Sequence, residues 1–173
     1  VRFKMSAFII TLASYIWVRG LVLAISGGRS AQDLAPAIRW FGIQRLFGLP
    51  LTAWIAIASF IVFSFILSKT PFGRHLVMIG GNQTATFRAG IRVNRNLIIA
   101  FILAGAIAGL AGWLLAIRTS GATANLGVGL LFNAFAAVVI GGVSLKGGVG
   151  SLPGVYAGAL LLSSINTAIN LMG

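Results

Sequence analysis

Few residues in this sequence could carry out chemistry. It has one histidine, His75, one acid, Asp33, and neither glutamate nor cysteine. One carboxyl group cannot supply the pair of acids that many hydrolytic sites use, and one imidazole beside one carboxylate is too little to hold a metal ion. The sequence therefore predicts a protein that is not an enzyme and that needs no metal ion or other cofactor.

The polar side chains that could meet a solute are uncharged and lie within apolar segments. Asn166 and Asn170 are four residues apart and so share one face of a helix, while Asn133 belongs to an earlier segment. Amide groups of this kind suit a neutral, hydroxylated solute, and the three asparagines are candidate residues of a translocation path. Hydrogen bonding between helices explains the pattern equally well.

Glycines form a third pattern. Gly105, Gly109 and Gly112 recur at helical spacing, as expected where helix backbones pack closely. A glycine-rich run follows later, but Lys146 is succeeded by glycine rather than Ser or Thr, so the run does not match a phosphate-binding loop. We predict a tight turn there. The candidate packing and turn residues are Gly105, Gly109, Gly112, Gly141, Gly142, Gly147, Gly148 and Gly150.

A polar, basic stretch at residues 69–96, here called the basic island, separates two long apolar runs. Within it, Asn82 is a good helix cap and Gly90 a good helix stop, which predicts a short helix between them. Phe87 and Ile91 would share its apolar face, to which a partner could bind. The alternative is a solvated basic loop.

These residues must be positioned by membrane-spanning helices. The chain is 58% hydrophobic and only 8% charged, and several segments reach the roughly 20 apolar residues that cross a bilayer. We predict one all-α domain over residues 1–173, a polytopic transmembrane helix bundle with a further interfacial helix near residues 38–47. About five spans are expected, at residues 5–26, 51–68, 97–117, 131–145 and 152–171.

The net charge of +12 indicates contact with lipid rather than nucleic acid, because the bases lie mostly between apolar spans. Eight of the 13 basic residues fall on the side of the basic island and four on the other side, which places the island in the cytoplasm. Arg19 lies within the first span. Its side chain is expected to snorkel to the outer interface or to bond to neighbouring groups.

Several blocks of sequence resemble the ribose-type family of bacterial sugar ABC transporter permeases. The order Pro71-Phe72-Gly73-Arg74, Ile79-Gly80-Gly81-Asn82, Ala85 and Ala89-Gly90-Ile91 resembles the coupling loop of that family. Three more blocks agree, at residues 8–20, 104–114 and 136–154. The match follows the chain in order over nearly its whole length, so it is more specific than any single motif.

The resemblance implies the membrane-spanning permease subunit of an ATP-driven ABC importer for a monosaccharide, in the bacterial inner membrane. Its partners would be an ABC ATPase, a second permease subunit in a homodimer and a periplasmic sugar-binding protein. The whole permease would have about ten helices, with this chain, apparently a fragment, as roughly the second half. The residues that would couple to the ATPase are Asn82, Ala85, Arg88, Ala89, Gly90 and Ile91.

The chain departs from the family pattern before Ala136-Ala137. The family commonly carries a Glu and an Asp there, whereas this chain has Leu131 and Asn133. Two other functions stay open at this point. An ATP-independent secondary carrier usually needs acids within the membrane, which the spans lack. A membrane scaffold without transport activity would have no use for a coupling-type helix.

Overall fold

The computed structural model describes residues 7–30, 40, 42, 44–123 and 125–172. In this part the regular secondary structure is helical except for one small hairpin, and the helices are joined by turns and loops. The elements in chain order are α1 (Ala7–Ser26), β1 (Arg45–Leu46), β2 (Leu49–Pro50), α2 (Leu51–Lys69), α3 (Pro71–Gly81), α4 (Gln83–Arg88), α5 (Val93–Arg118), α6 (Leu130–Ile140) and α7 (Leu152–Met172).

Four of these helices, α1, α2, α5 and α7, are long and apolar enough to cross a membrane. Most of their side chains are exposed, as expected for helices whose neighbours are lipid or further helices. The buried apolar residues are few: Ile79, Val93, Ile117 and Ala137. The prediction of an all-α, polytopic transmembrane bundle is confirmed.

The fifth predicted span is shorter than expected. The segment predicted over 131–145 is helical only over Leu130–Ile140, and these 11 residues extend about 16 Å, roughly half of a bilayer's hydrocarbon core. The helix ends there because Gly142 adopts a left-handed conformation with φ of 76°. Its N–H donates to the Val139 carbonyl at 3.0 Å and Val143 N–H to the Val138 carbonyl at 3.2 Å, a Schellman stop.

Helices α6 and α7 form a tightly packed hairpin, and α2 lies against α7. A Cβ atom added to Gly141 would lie 2.6 Å from the Cα of Val155, so the two backbones touch. Gly158 of α7 approaches the carbonyl of Ala137 in the same way. On the other side of α7, the rings of Tyr156 and Phe60 have centroids 4.9 Å apart.

The hairpin β1–β2 precedes α2. Its two-residue loop, Phe47 and Gly48, has positive φ at both positions, which matches the twist of antiparallel strands. The interfacial helix predicted near residues 38–47 is therefore wrong at its end, since residues 45 and 46 are in a strand. Residues 38, 39, 41 and 43 of that prediction lie outside the described part of the chain.

Candidate functional site

The basic island folds into two helices joined by a single residue. Helix α3 begins directly after α2, where Thr70 is its N-cap and accepts a hydrogen bond from Gly73 N–H at 3.5 Å, with Pro71 at the first helical position. Helix α3 was not predicted from the sequence. Its signal was present, since Thr-Pro is a common start of a helix.

Helix α4 has the predicted cap and the predicted stop. The Asn82 Oδ1 accepts a hydrogen bond from Ala85 N–H at 2.9 Å. At the other end Gly90 has φ of 81°, and Gly90 N–H and Ile91 N–H donate to the Phe87 and Thr86 carbonyls in a Schellman arrangement. Both ends of this short helix are therefore held by specific hydrogen bonds.

Helix α4 has one buried residue, and its other residues are exposed. Thr86 is 3% exposed, and its hydroxyl donates to the Asn82 carbonyl at 2.8 Å. The Phe87 ring is 70% exposed. Of the residues predicted to couple to an ATPase, Ile91 is half-buried and the others are exposed: Asn82, Ala85, Arg88, Ala89 and Gly90.

A groove of about 650 Å³ adjoins the exposed face of α4. Phe87, Arg92 and Arg95 are among the residues that line it. No acid is present among the described residues, because the single acid of the chain is Asp33. The groove thus combines an exposed aromatic ring with positive charge, which suits a partner surface that is acidic at its rim.

The three predicted asparagines line a single cavity of about 870 Å³ between α5, α6 and α7. We call it the asparagine cavity. Ser163, Thr167 and Tyr15 contribute further polar groups, and the rest of the wall is apolar. Tyr15 was not among the predicted residues. Its position in α1 gave no local signal, because only the packing of the bundle brings it near α7.

A second cavity, of about 910 Å³, lies between α1, α5 and the segment that precedes α6. We call it the arginine cavity, because Arg19 is the only charged residue among the described residues that line it. Tyr15 and Gly112 line both cavities, as do Ala108 and Leu126. The two cavities are therefore neighbours that share one wall.

The small-residue face of α5 borders this space. A Cβ atom added to Gly105, Gly109 or Gly112 would meet nothing within 4 Å in the described part of the chain. Gly105 and Gly112 line the arginine cavity, whereas Gly109 lines neither cavity. Their close packing against another helix stays a prediction, and any such helix would not be one of those described.

The glycine-rich run at residues 141–151, here called the glycine loop, lies against the end of α3. A Cβ atom on Gly147 would lie 3.0 Å from the Cα of Gly80, and one on Gly148 would lie 2.8 Å from the Cα of Gly81. Both loop residues have positive φ. The glycine loop thus joins the basic island to the α6–α7 hairpin.

The whole chain, residues 1–173, matches the family described as "Branched-chain amino acid transport system / permease component". The chain belongs to this permease family. Within the described residues, no three His, Cys, Asp or Glu side chains come together.

Two curated relatives of this permease segment are named for sugars. The L-arabinose transport system permease protein AraH of Escherichia coli K12 is 39% identical over 171 residues, which are 99% of this chain and 52% of the relative. The ribose import permease protein RbsC of the same strain is 38% identical over 174 residues, covering 98% and 54%.

A third curated relative comes from another bacterium. The ribose import permease protein RbsC of Bacillus subtilis is 37% identical over 172 residues, covering 98% of this chain and 53% of the relative. The chain spans about half the length of the curated relatives it matches. No solved structure matches it. The resemblance to sugar ABC permeases is confirmed.

Proposed function

We propose that the chain is part of the permease subunit of an ATP-driven ABC importer for a monosaccharide. The observation that carries this proposal is helix α4: it is fixed at both ends, buries Thr86, and presents Phe87 to solvent beside a basic groove. A short helix held in this way can receive force from a partner without unfolding. A solvated basic loop would have no reason for caps at both ends.

The partner of α4 is an ABC ATPase, and α4 acts as the coupling helix. ATP binding and hydrolysis displace this helix, and the displacement opens the path alternately to each side of the membrane. The proposed coupling residues are Asn82, Ala85, Arg88, Ala89, Gly90 and Ile91. No bond of the solute is made or broken by this chain.

The asparagine cavity is the proposed segment of the translocation path. Asn133, Asn166 and Asn170 supply amide donors and acceptors in an otherwise apolar wall, which suits a solute with several hydroxyl groups. The names of the relatives, which refer to arabinose and ribose, support a sugar. A branched-chain amino acid, which the family description names, would leave these amides facing an apolar side chain.

The remaining parts of the proposed importer lie outside this chain. They are a second permease subunit, which we propose is identical, and a periplasmic sugar-binding protein that delivers the solute. The assembly would sit in the bacterial inner membrane. A secondary carrier is disfavoured because the described helices contain no acid that could couple transport to an ion gradient.

A crosslink to the ATPase tests this function, and the chain has no cysteine that would interfere. We would introduce Ala85→Cys into the full-length protein and express it with the candidate ATPase, which carries cysteines along its docking groove. We expect a disulfide whose yield changes with nucleotide. The matched control is Val128→Cys, which is 54% exposed in the segment between α5 and α6 and should not crosslink.

Absence of any crosslink from Ala85 and its exposed neighbours, with both proteins folded and present in the membrane, would overturn the proposal. A crosslink that does not respond to nucleotide would indicate contact without coupling. That result would favour a scaffold over a transporter.

A further inference from the structure

The contact between the glycine loop and α3 is made by backbone atoms on both sides. A side chain on Gly80 would overlap the backbone nitrogen of Gly148, and side chains on Gly147 or Gly148 would press on Gly80 or Gly81. Nothing flexible lies between the two segments. Because packed protein interiors have low compressibility, a displacement of one segment must move the other or break the contact.

The glycine loop has a defined conformation of its own. Ser144 N–H donates to the Val149 carbonyl at 2.9 Å, and Gly147 N–H donates to the Ser144 carbonyl at 3.0 Å. Gly150 lies under the Val143 side chain, where an added Cβ would be 2.9 Å from Val143 Cγ1. These bonds close the loop on itself, so that it can pass on a displacement as a unit.

On one side, the contact leads directly to the coupling helix. Asn82 ends α3, with its N–H donating to the Met78 carbonyl at 3.0 Å, and the same residue caps the start of α4. The two helices therefore share one residue. A shift of α4 must act on Gly81 and Gly80, which lie one and two positions before that cap.

On the other side, the contact leads to the wall of the asparagine cavity. Gly141 begins the glycine loop and its backbone touches that of α7 at Gly154 and Val155, while Gly158 touches the Ala137 carbonyl of α6. Both helices of this hairpin carry cavity residues, Asn133 on α6 and Asn166 and Asn170 on α7.

We infer that the glycine loop transmits the movement of the coupling helix to the α6–α7 hairpin, with Gly80 and Gly148 as the positioning residues that make this contact. The inference rests on the proposed function. It names a second route besides the covalent link from α4 into α5. The route through α5 moves one wall of the asparagine cavity, whereas the route through the glycine loop moves the two helices that carry its asparagines.

Two neighbouring glycines provide the test and its control. Gly80→Ala adds a methyl group against the Gly148 backbone, whereas Gly81→Ala adds one where nothing lies within 4 Å. Both positions belong to α3 and both substitutions favour the helix to the same extent. We expect sugar uptake per ATP hydrolysed to fall about fivefold or more in Gly80→Ala and to stay near the wild-type value in Gly81→Ala.

ATP hydrolysis and the nucleotide-sensitive crosslink from Ala85 should persist in Gly80→Ala, because α4 itself is unchanged. Equal uptake per ATP in both variants, with the crosslink present, would overturn the inference and leave the proposed function standing. Loss of the crosslink in the otherwise unaltered protein would instead overturn the proposed function.

A distance measurement covers the case in which Gly80→Ala does not insert into the membrane. Spin labels on Gln83 of α4 and on Leu145 of the glycine loop, both exposed, should keep the same separation with and without trapped nucleotide. Both labels should move relative to a third on Ile102 of α5, which is 64% exposed. A changing separation of Gln83 and Leu145, or no movement relative to α5, would overturn the inference.

Discussion

Arg19 of α1 donates a hydrogen bond from Nη2 to the Oδ1 of Asn125 at 2.9 Å. Its Nε is buried and has no partner among the described residues. Arg19 was expected either to snorkel to the interface or to bond to neighbouring groups, and in the structure it forms a hydrogen bond. The bond links the segment between α5 and α6 to α1. The described residues of this segment are not helical, and several of them line the arginine cavity.

Removal of this link should loosen the bundle. Asn125→Ala deletes the acceptor and leaves a guanidinium without a described partner, so we expect the unfolding free energy in detergent to fall by about 1 kcal/mol, as for other hydrogen bonds between membrane helices. Arg19→Met removes the charge and keeps much of the length. In a double-mutant cycle the two effects should be less than additive. Full additivity would show that the bond contributes nothing.

The cap of α4 should be needed for a stable coupling helix. Asn82→Ala removes the oxygen that accepts from Ala85 N–H, and we expect a local loss of about 1 kcal/mol. Amide hydrogen exchange over residues 83–88 should then be about five times faster. Asn82→Ser keeps a capping oxygen and should restore slow exchange. Equal exchange in the alanine and serine variants would contradict a capping role.

Substitutions of two nearby polar residues of α7 should differ in their effect on sugar uptake, because only one of the two residues lines the asparagine cavity. Asn166→Leu removes one amide from the wall, and the loss of one hydrogen bond to a solute hydroxyl should raise the uptake KM about two- to tenfold. Ser164→Ala is the matched control, because this serine does not line the cavity and its hydroxyl bonds to the Leu160 carbonyl of its own helix. Similar KM values in both variants would argue against a solute path here.

Features that depend on local sequence could be predicted. The long spans follow from hydropathy, and the ends of α4 follow from Asn82 and Gly90, because a cap or a left-handed glycine acts on its own turn of helix. The early stop of α6 was also local. Gly141-Gly142 signalled it, but the apolar residues that follow made the span look longer.

Features that depend on packing between distant segments could not be predicted. Asn133 and Asn166 are recognisable in the sequence as polar residues of apolar helices, but only the α6–α7 hairpin shows that they line the same cavity. The contact of Gly80 with Gly148 joins residues far apart in the chain, and neither glycine has a local signal for its partner. A single sequence shows the periodicity of its apolar residues and its helix-capping residues. It does not show which distant residues are in contact.

The exposed ring of Phe87 should matter for the partner and not for the fold. Because the ring is 70% exposed, Phe87→Ala removes little buried surface, and the unfolding free energy should change by less than about 0.5 kcal/mol. Its place beside the groove with Arg92 and Arg95 is typical of an aromatic anchor. Truncation of such an anchor costs about 2 kcal/mol of binding free energy, or roughly thirtyfold in Kd.

The measurement is the affinity of the detergent-solubilised, full-length protein for the ATPase, together with its thermal stability. Ile98→Ala is the matched control, since Ile98 is an apolar residue of α5 with 60% exposure that lies outside the groove. The same affinity for both variants would show that Phe87 does not anchor the partner. A large loss of stability in Phe87→Ala would instead assign the ring to the fold. Removal of the ring can lower stability only if the ring makes contacts within its own chain.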